Sequence, residues 1–503
     1  MAGQADAVSD PHDVISDAHR WRVLWVLLVA IFMSLISVSI VNVALPSIQD
    51  GLDASDSDAQ WVLAGYALTF GVVLVAAGRA GDLMGRGGIF VLGVIVFTLA
   101  SITAGLAPNA DALNAARFIQ GVGSGLLNPQ GVGMIQQYFR GSERGKAFGY
   151  FGSVVGVAVG IGPVLGGLLI ELGGPELGWR LTFLVNVPVG LLCLALALRW
   201  FPRPLLRRTA AGAPKASRSF DPVGSILLGL AVLATMFPFV EGRSSAWLWL
   251  LLPVGILLGW AWVKWEQHYR ATGRAPMVDL DIFSIRSFTN GSVIVMLYFL
   301  GMTSIWVLVA LYLQEGTGKS ALQAGFIGVP SALISAYAAS WAGRRVNRYG
   351  RKVVIGGLVF ALVGLALSIV VVVLQAQGLV SEWWLLASLA FIGVGQGAVI
   401  SPNQTLTLAD IPLDYAGSSG AVMQTGQRIG TSIGIAVITS AAFATLGVSG
   451  SWSVAIAVGF GLIGLVVLMA LAFAFKDQHD RMRDTAATFH GSSPPPSARP
   501  LTR

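Results

Sequence analysis

The sequence predicts an all-α integral membrane protein with about fourteen membrane-spanning helices. Of its 503 residues, 55% are hydrophobic and only 11% are charged, whereas a soluble domain carries about 25% charged residues. The uncharged stretches Val23–Gln49, Gly87–Ala110 and Val353–Ser381 each exceed the ~20 residues that cross the hydrocarbon core as a helix. Continuous apolar runs favour helices, because a membrane β-barrel shows segments of about 10 residues with alternating polarity.

Composition excludes several classes of function. The net charge of +7 reflects basic residues in cytoplasmic loops, so no nucleic-acid partner is expected. One cysteine, Cys193, cannot form an internal disulfide or a cysteine metal cluster, and all five histidines lie outside the apolar cores. The sequence lacks the glycine-rich ATP-binding loop. We therefore expect no enzymatic activity, no metal and no cofactor, with the proton gradient as the energy source.

The apolar runs place the spans in order along the chain. Boundaries follow from charged or turn-forming residues, such as the glycines at 447–450 that separate the last two spans. The spans lie near residues 23–45, 59–78, 88–107, 112–137, 147–170, 180–199, 222–241, 246–265, 288–313, 321–342, 353–374, 383–403, 418–446 and 451–475.

Charged residues set the expected orientation. Basic residues concentrate in alternate loops, as at Arg79 and Arg140, whereas the intervening loops are mostly acidic, as at Asp50 and Asp53. Lysine and arginine accumulate on the cytoplasmic side of membrane proteins. We therefore expect a multi-pass protein of the plasma (inner) membrane with both termini in the cytoplasm. The polar, acidic stretch 1–19 lacks the pattern of a cleavable signal peptide.

A repeat divides the chain into two similar halves. The stretches Gly78–Arg86 and Gly343–Arg351 share the spacing glycine, polar residue (Asp82 or Asn347), glycine, arginine. Each copy lies between the second and third spans of its half, which predicts two related bundles. The predicted parts are a cytoplasmic N-terminal tail at 1–22, a six-helix bundle at 23–200, a cytoplasmic linker at 201–221, two extra spans with a cytoplasmic connection at 222–287, a second six-helix bundle at 288–476 and a disordered cytoplasmic tail at 477–503.

Three motifs resemble signatures of the major facilitator superfamily and, within it, of the fourteen-span drug:proton antiporters of the QacA/EmrB type. They are the loop stretch Gly78–Arg86, the span-4 stretch Leu113–Gly121 and the span-5 stretch Gly156–Gly167. The match extends over about residues 20–475 in the order expected for the family. The resemblance implies a major facilitator fold, with two six-helix bundles and two extra central transmembrane helices.

The first motif implies a gate. By resemblance, Asp82 closes the cytoplasmic side by meeting the start of span 13 at 417–420, and a carboxylate at a helix N-terminus is favourable by about 0.3–1 kcal/mol. This copy departs from the family at Leu83 and Gly87, where an arginine and a lysine are usual, and the second copy has no acid. The implied gating residues are Gly78, Asp82, Gly85, Arg86, Asn347, Arg348 and Arg351.

The other two motifs imply coupling and export. Arg117 lies at least a turn inside span 4, where an arginine costs about 2.5–3.5 kcal/mol, so we expect it to face the interior and have a partner. The resemblance implies a role in proton coupling; the other interpretation is an arginine reaching the outer surface. In span 5, small residues allow close helix packing and a proline allows a kink. This antiporter signature comprises Gly156, Gly160, Gly162, Pro163, Gly166 and Gly167.

The largest departure from the family lies in span 1. Ile36–Pro46 resembles Leu-Asp-x-Thr-x-x-Asn-x-Ala-Leu-Pro, but Ser37 stands where the family has its usual proton-carrying aspartate. None of the twenty-five acidic residues lies in the middle of a span. Two interpretations remain open: an edge carboxylate such as Asp111 couples to protons, or the substrate is anionic and compensates Arg117 and Arg428. Arg428 lies about ten residues into span 13, roughly 15 Å deep.

The predicted function is secondary active export of small amphipathic molecules, of the multidrug kind, by alternating access with proton antiport. The alternatives are an exporter of anionic amphiphiles or lipids without a span-1 proton site, and a membrane receptor or scaffold that kept the fold without transport. We expect a monomer whose partners are the lipid bilayer and the substrate. Polar residues within apolar spans predict the cavity lining as Ser37, Asn42, Gln120, Asn128, Gln130, Asn403, Gln404 and Gln424, together with Arg117 and Arg428.

Overall fold

The computed structural model describes residues 16–206, 221–241 and 245–489. Most of the predicted linker, the first fifteen residues and residues 490–503 lie outside this range. In the described residues the chain is helical and contains no strand, so the predicted all-α membrane class is confirmed. The helices are α1 Asp17–Leu52, α2 Asp56–Met84, α3 Arg86–Gly105, α4 Ala110–Tyr138, α5 Gly141–Leu184, α6 Asn186–Trp200, α7 Pro222–Glu241, α8 Leu251–Ala271, α9 Arg286–Leu311, α10 Ala321–Tyr349, α11 Arg351–Ala376, α12 Leu385–Thr407, α13 Ala416–Ser449 and α14 Trp452–Phe489.

Thirteen helical segments in the described part of the chain are long and apolar enough to cross a membrane. Helix α4 is not among them, because its interior carries Gln120, Asn128 and Gln130. These side chains are buried within the protein, so α4 does not have to present a hydrocarbon-compatible surface to lipid. Interior polar residues of this kind are expected in a bundle that encloses a binding site.

The boundary between the fifth and sixth spans lies within a few residues of the prediction, at a sharp bend at Gly174 inside α5. The fifth span runs from Gly141 to Gly174 and the sixth from Glu176 to Trp200. Gly174 has φ 67° and ψ −171°, a conformation that glycine adopts without a Cβ penalty. The chain therefore turns back into the membrane at Gly174 and reaches Trp200 through α6.

The helices form two bundles related by the sequence repeat. Helices α1–α6 pack on one another as one bundle and α9–α14 as the other, while α5–α10 and α2–α13 are the main contacts between them. These two contacts are equivalent, since α10 repeats α2 and α13 repeats α5. The helical pair α7–α8 packs beside the bundles, with α7 against both α2 and α13. We call the face at which α1 begins and α14 ends the predicted cytoplasmic side.

The structure corrects both ends of the predicted bundles. Helix α1 begins at Asp17, inside the predicted N-terminal tail, and α14 extends to Phe489, so residues 477–489 are helical and not part of a disordered tail. Asp477 is buried and pairs with Arg351 of α11, with 2.6 Å between Oδ2 and Nε. Asn290 of α9 donates to the other Asp477 oxygen at 2.9 Å. The residues just after Lys476 therefore stabilise the second bundle.

Asp477→Asn is expected to destabilise the protein by about 3–5 kcal/mol, because it leaves the buried Arg351 charge without its partner. Both side chains are at most 2% exposed. The measurement is the free energy of unfolding in detergent, with Asp480→Asn one turn further along α14 as the matched control. Equal stability of the two variants would show that the pair contributes nothing to the bundle.

Candidate functional site

The Asp82 carboxylate joins the two bundles at the predicted cytoplasmic side. Its Oδ1 accepts a hydrogen bond from the backbone amide of Gly417 at 3.0 Å, and its Oδ2 accepts one from Ser418 at 2.9 Å. Both amides belong to the first turn of α13, where N–H groups have no partner within the helix and the helix dipole is positive. We call this contact the Asp82 latch. It is the contact that the resemblance implied, and its gating role remains a prediction.

Glycine makes the latch sterically possible. A Cβ on Gly78 would lie 2.7 Å from the carbonyl oxygen of Gly417, and a Cβ on Gly417 would lie 2.6 Å from Asp82 Oδ1. Helices α2 and α13 therefore approach with backbone against backbone. Gly85, with φ 110° and ψ 120°, ends α2 and begins α3 in a conformation that other residues rarely adopt.

Arg86 completes the contact between the bundles. Its Nη2 lies 2.8 Å from Asp82 Oδ1 and donates to the carbonyl oxygen of Leu413 at 2.7 Å. Its Nη1 donates to Gln137 Oε1 at 2.7 Å, and the neighbouring Gln136 donates to the carbonyl oxygen of Ala416 at 3.0 Å. Sequence reasoning missed both glutamines and the carbonyl groups. The adjacent glutamines at positions 136 and 137, at the end of span 4, are the sequence feature that could have indicated this contact.

The second copy of the motif does not form a second latch. Gly343 does pack closely on α5, since a Cβ there would lie 2.6 Å from the Cα of Gly149. Asn347 and Arg348, however, are exposed, and Arg351 bonds to Asp477 and Asn403 inside the second bundle. Arg351 therefore bonds within its own bundle, because without an acid four residues earlier it pairs with the acid of α14. The gating roles of Asn347 and Arg348 remain predictions.

The same network holds the side chain of Asn403. Its side chain is fully buried between Arg351 and the carbonyl oxygen of Gly291, to which it donates at 2.9 Å. Gln130 is held in the same way: its Nε2 donates to the carbonyl oxygen of Ala77 at 2.7 Å, beside the latch. Both amides hold helices together near the predicted cytoplasmic side, and their place in the substrate cavity remains a prediction.

Arg117 is buried in the interior of the first bundle, with 0% exposure. Its Nε donates to the carbonyl oxygen of Val62 at 2.7 Å, and its Nη1 donates to Gln120 Oε1 at 2.5 Å. Ser37 Oγ lies 3.4 Å from the same Nη1. The interpretation of an arginine that reaches the outer surface is therefore wrong. Its partners are neutral oxygens, so its charge is solvated but not compensated.

The edge carboxylate Asp111 does not reach Arg117. Asp111 is exposed on the first turn of α4. Six residues separate the two positions, which is about 9 Å along the axis and about 120° around a helix. In the described part of the chain, neither Arg117 nor Arg428 has a carboxylate within ion-pairing distance. The structure therefore gives no support to Asp111 as the coupling residue.

Arg428, from the other bundle, packs against the same helix as Arg117. Its guanidinium carbon is 4.3 Å from the ring centroid of Phe70, and that of Arg117 is 4.4 Å from the ring of Tyr66. The two rings are 5.9 Å apart. Together these distances limit the separation of the guanidinium carbons to about 15 Å. Two cations from different bundles thus share one aromatic wall on α2.

Other predicted cavity residues form a hydroxyl and amide network beside this wall. Tyr66 Oη lies 2.5 Å from Ser124 Oγ and 3.1 Å from Ser34 Oγ, and Asn128 Nδ2 donates to Ser34 Oγ at 3.2 Å. Gln120 donates to Ser101 Oγ at 2.8 Å. The structure therefore joins most of the predicted polar residues of α1 and α4 and adds Tyr66. Asn42 is exposed, whereas Gln404 and Gln424 are buried.

The span-5 motif presents small residues on two faces of α5. Cβ atoms on Gly156 and Gly160 would press on α10 in the other bundle, with 3.1 Å between the first and the Ala336 amide nitrogen. Cβ atoms on Gly162 and Gly166 would press on α1, with 3.1 Å between the second and the carbonyl oxygen of Ile40. Gly167 and Pro163 lie towards α10 as well. The motif therefore allows α5 to pack tightly on both bundles.

Pro163 frees a backbone carbonyl group in α5, and that group finds a partner on the neighbouring helix. A proline removes the N–H that would bond to the carbonyl four residues earlier, here Val159. Ser39 of α1 donates its hydroxyl to that carbonyl at 3.0 Å. The neighbouring helix thus satisfies the freed oxygen, as is common for prolines in membrane helices.

A membrane protein of two repeated six-helix bundles, joined by a carboxylate at a helix N-terminus and enclosing polar and cationic side chains, has the architecture of a secondary transporter. The chain belongs to the Major Facilitator Superfamily, whose profile matches residues 27–435. The predicted family and fold are therefore confirmed, and the protein is a transporter and not an enzyme.

Similar proteins agree with this assignment. The chain is 33% identical over 441 residues to the probable actinorhodin transporter of Streptomyces coelicolor, covering 87% of this chain and 75% of that protein. It is 31% identical over 507 residues to the puromycin resistance protein pur8 of Streptomyces alboniger, covering 96% of each. Among solved structures, the proton:xylose symporter XylE matches with a TM-score of 0.64 at 16% identity, over 92% of this chain and 96% of that chain. The last comparison concerns the fold alone.

Proposed function

We propose that this protein is a secondary active exporter of small amphipathic molecules, of the multidrug type. The Asp82 latch is the observation that carries the proposal, because it joins the bundles at one face through bonds that can break as a unit. The names of two relatives, which refer to actinorhodin and to puromycin resistance, support export of amphipathic natural products.

In this proposal the bundles rock about the interior that holds Arg117 and Arg428. The latch forms when the predicted cytoplasmic side is closed, and breaking it opens that side to substrate. The protein lies in the plasma membrane as a monomer with both termini in the cytoplasm. Export is driven by an ion gradient, with proton antiport as the first candidate. The asymmetry of basic residues between loops supports the orientation.

The test is uptake into inverted membrane vesicles. A fluorescent cation and a fluorescent anion are offered separately, with and without an imposed pH gradient, and compared with vesicles lacking the protein. Gradient-dependent uptake of either substrate would support export. The absence of gradient-dependent flux for every substrate class tested would overturn the proposal and favour a protein that kept the fold without transport.

Ser37→Asp is expected to make transport depend more strongly on the pH gradient. Ser37 Oγ is 3.4 Å from Arg117 Nη1, so an aspartate there places a titratable carboxylate beside the buried cation. Protonation of that carboxylate would then accompany the conformational change. The matched control is Ser37→Asn, because asparagine has the same shape as aspartate and cannot titrate. Equal pH dependence of the two variants would contradict the expectation.

A further inference from the structure

We infer that the interior holds a binding subsite for the anionic group of an aromatic substrate, with Arg428 as its principal ligand and Arg117 as a fixed second charge. This inference rests on the proposed function and names the substrate class of the same site. The ligand chemistry is a carboxylate, sulfonate or phosphate attached to an apolar body.

The guanidinium group of Arg428 is deep in its helix and contacts an aromatic ring. It lies 12 residues after the start of α13, about 18 Å along the helix axis. Its guanidinium lies over the Phe70 ring at 4.3 Å. Within the described residues it has neither a hydrogen-bond partner nor an ion pair, and the residue is partly exposed. Its five N–H donors are therefore available to an incoming group.

Arg117 supplies a second, immobile charge. Its Nε and Nη1 are held by Val62, Gln120 and Ser37. Its Nη2 is buried and has no hydrogen-bond partner. An unsatisfied charged donor in a buried site is costly, so the site favours a ligand whose negative charge lies nearby. The Tyr66 ring lies 4.4 Å from the guanidinium carbon of Arg117 and separates Arg117 from Arg428.

The protein itself does not compensate these two charges. Acidic side chains are absent from the middle of every span in the sequence, and Ser37 occupies the position beside Arg117 where an aspartate would serve. A buried cation without a partner is strongly disfavoured in a membrane interior. When the bundles close around the cavity and exclude water, an anionic substrate provides the missing charge.

The side chains also fit the shape of such a substrate. A guanidinium presents a planar fork that binds a carboxylate, sulfonate or phosphate through two parallel hydrogen bonds. The rings of Phe70 and Tyr66 lie beneath the two guanidinium groups and are buried, so they hold both cations against one aromatic surface. Export of an anion from a compartment with a negative interior potential is electrically downhill, so this substrate class needs no proton-carrying aspartate in span 1.

The experiment measures binding and transport of fluorescein, an aromatic carboxylate, against ethidium, an aromatic cation. Fluorescence polarisation gives the dissociation constants with the full-length protein in detergent, and inverted vesicles give uptake. Arg428→Gln is expected to weaken fluorescein binding by about tenfold to a hundredfold, the range for a charge-assisted hydrogen-bonded pair. Arg428→Lys keeps the positive charge but not the planar fork of donors, so it should weaken fluorescein binding less than Arg428→Gln does.

Arg345→Gln is the matched control. Arg345 also lies 4.3 Å from an aromatic ring, that of Trp341, but it is exposed on α10. Size-exclusion profiles and thermal unfolding of all variants establish that they are folded. Unchanged fluorescein binding in folded Arg428→Gln, or equal losses in Arg428→Gln and Arg345→Gln, would overturn the inference.

Two further arms separate the possible outcomes. Fluorescein uptake should follow an imposed potassium diffusion potential as well as the pH gradient. Translocation of labelled phosphatidylglycerol that is lost in Arg428→Gln would identify a lipid headgroup as the source of the anion, with the same ligand chemistry. Gradient-driven uptake of ethidium alone, insensitive to Arg428→Gln, would overturn the anionic subsite but leave the proposed exporter standing. No flux of any substrate would overturn the exporter.

Discussion

Asp82→Asn is expected to reduce transport at least about tenfold while leaving expression close to that of the unchanged protein. The carboxylate accepts from the amides of Gly417 and Ser418 and pairs with Arg86. Asparagine offers one acceptor oxygen and no charge, so it loses a charge-assisted hydrogen bond and the interaction with the helix dipole. Hydrogen bonds to charged groups contribute about 1.5–3 kcal/mol, and 1.4 kcal/mol is a factor of ten.

The measurement is initial uptake into inverted vesicles, normalised to the amount of protein in the membrane. Asp50→Asn is the matched control, because Asp50 is exposed in the last turn of α1 on the opposite side of the membrane. Near-normal transport by Asp82→Asn would show that the motif is an ordinary polar turn between two spans and not a gate.

Arg117→Lys is expected to lower transport by at least about tenfold in a folded protein. A lysine keeps the charge but lacks the planar fork, so it cannot reproduce the bonds to Val62 and Gln120 at once. It also loses the broad face that lies 4.4 Å over the Tyr66 ring. The loss expected for one buried charge-assisted hydrogen bond is about 1.5–3 kcal/mol.

Uptake per folded protein, with thermal unfolding as the check on folding, tests this expectation. Arg199→Lys is the matched control, since Arg199 is exposed in the last turn of α6. If Arg117→Lys transports as well as Arg199→Lys, then the charge alone matters and the hydrogen-bond geometry at Arg117 does not.

The latch shows how far sequence reasoning reaches. A carboxylate in a glycine-rich turn and a glycine-serine start of another helix are both visible in the sequence, and the positive end of the helix dipole provides the attraction. The partners of Arg86 are less visible, because Leu413 contributes only its carbonyl oxygen. A backbone atom carries no signature in the amino-acid sequence.

The second copy of the motif shows where such reasoning fails. By sequence, Arg351 is the counterpart of Arg86, and the resemblance implies a role at the gate. In the structure it pairs with Asp477, 126 positions along the chain. A buried guanidinium requires a nearby acceptor, and the one that reaches it depends on how α11 and α14 pack, which the local motif does not specify.

By itself, the sequence determined the membrane class, the number and approximate limits of the spans, the two related halves and the family. These properties depend on the length of apolar runs and on local spacing, which each segment carries independently of the others. Only the tertiary structure decided that Arg117 and Arg428 share the wall of Phe70 and Tyr66, that Asp111 is remote, and that Asn403 belongs to the Arg351 network. The reason is physical: a buried polar group is satisfied by whichever donor or acceptor the packing brings within about 3 Å.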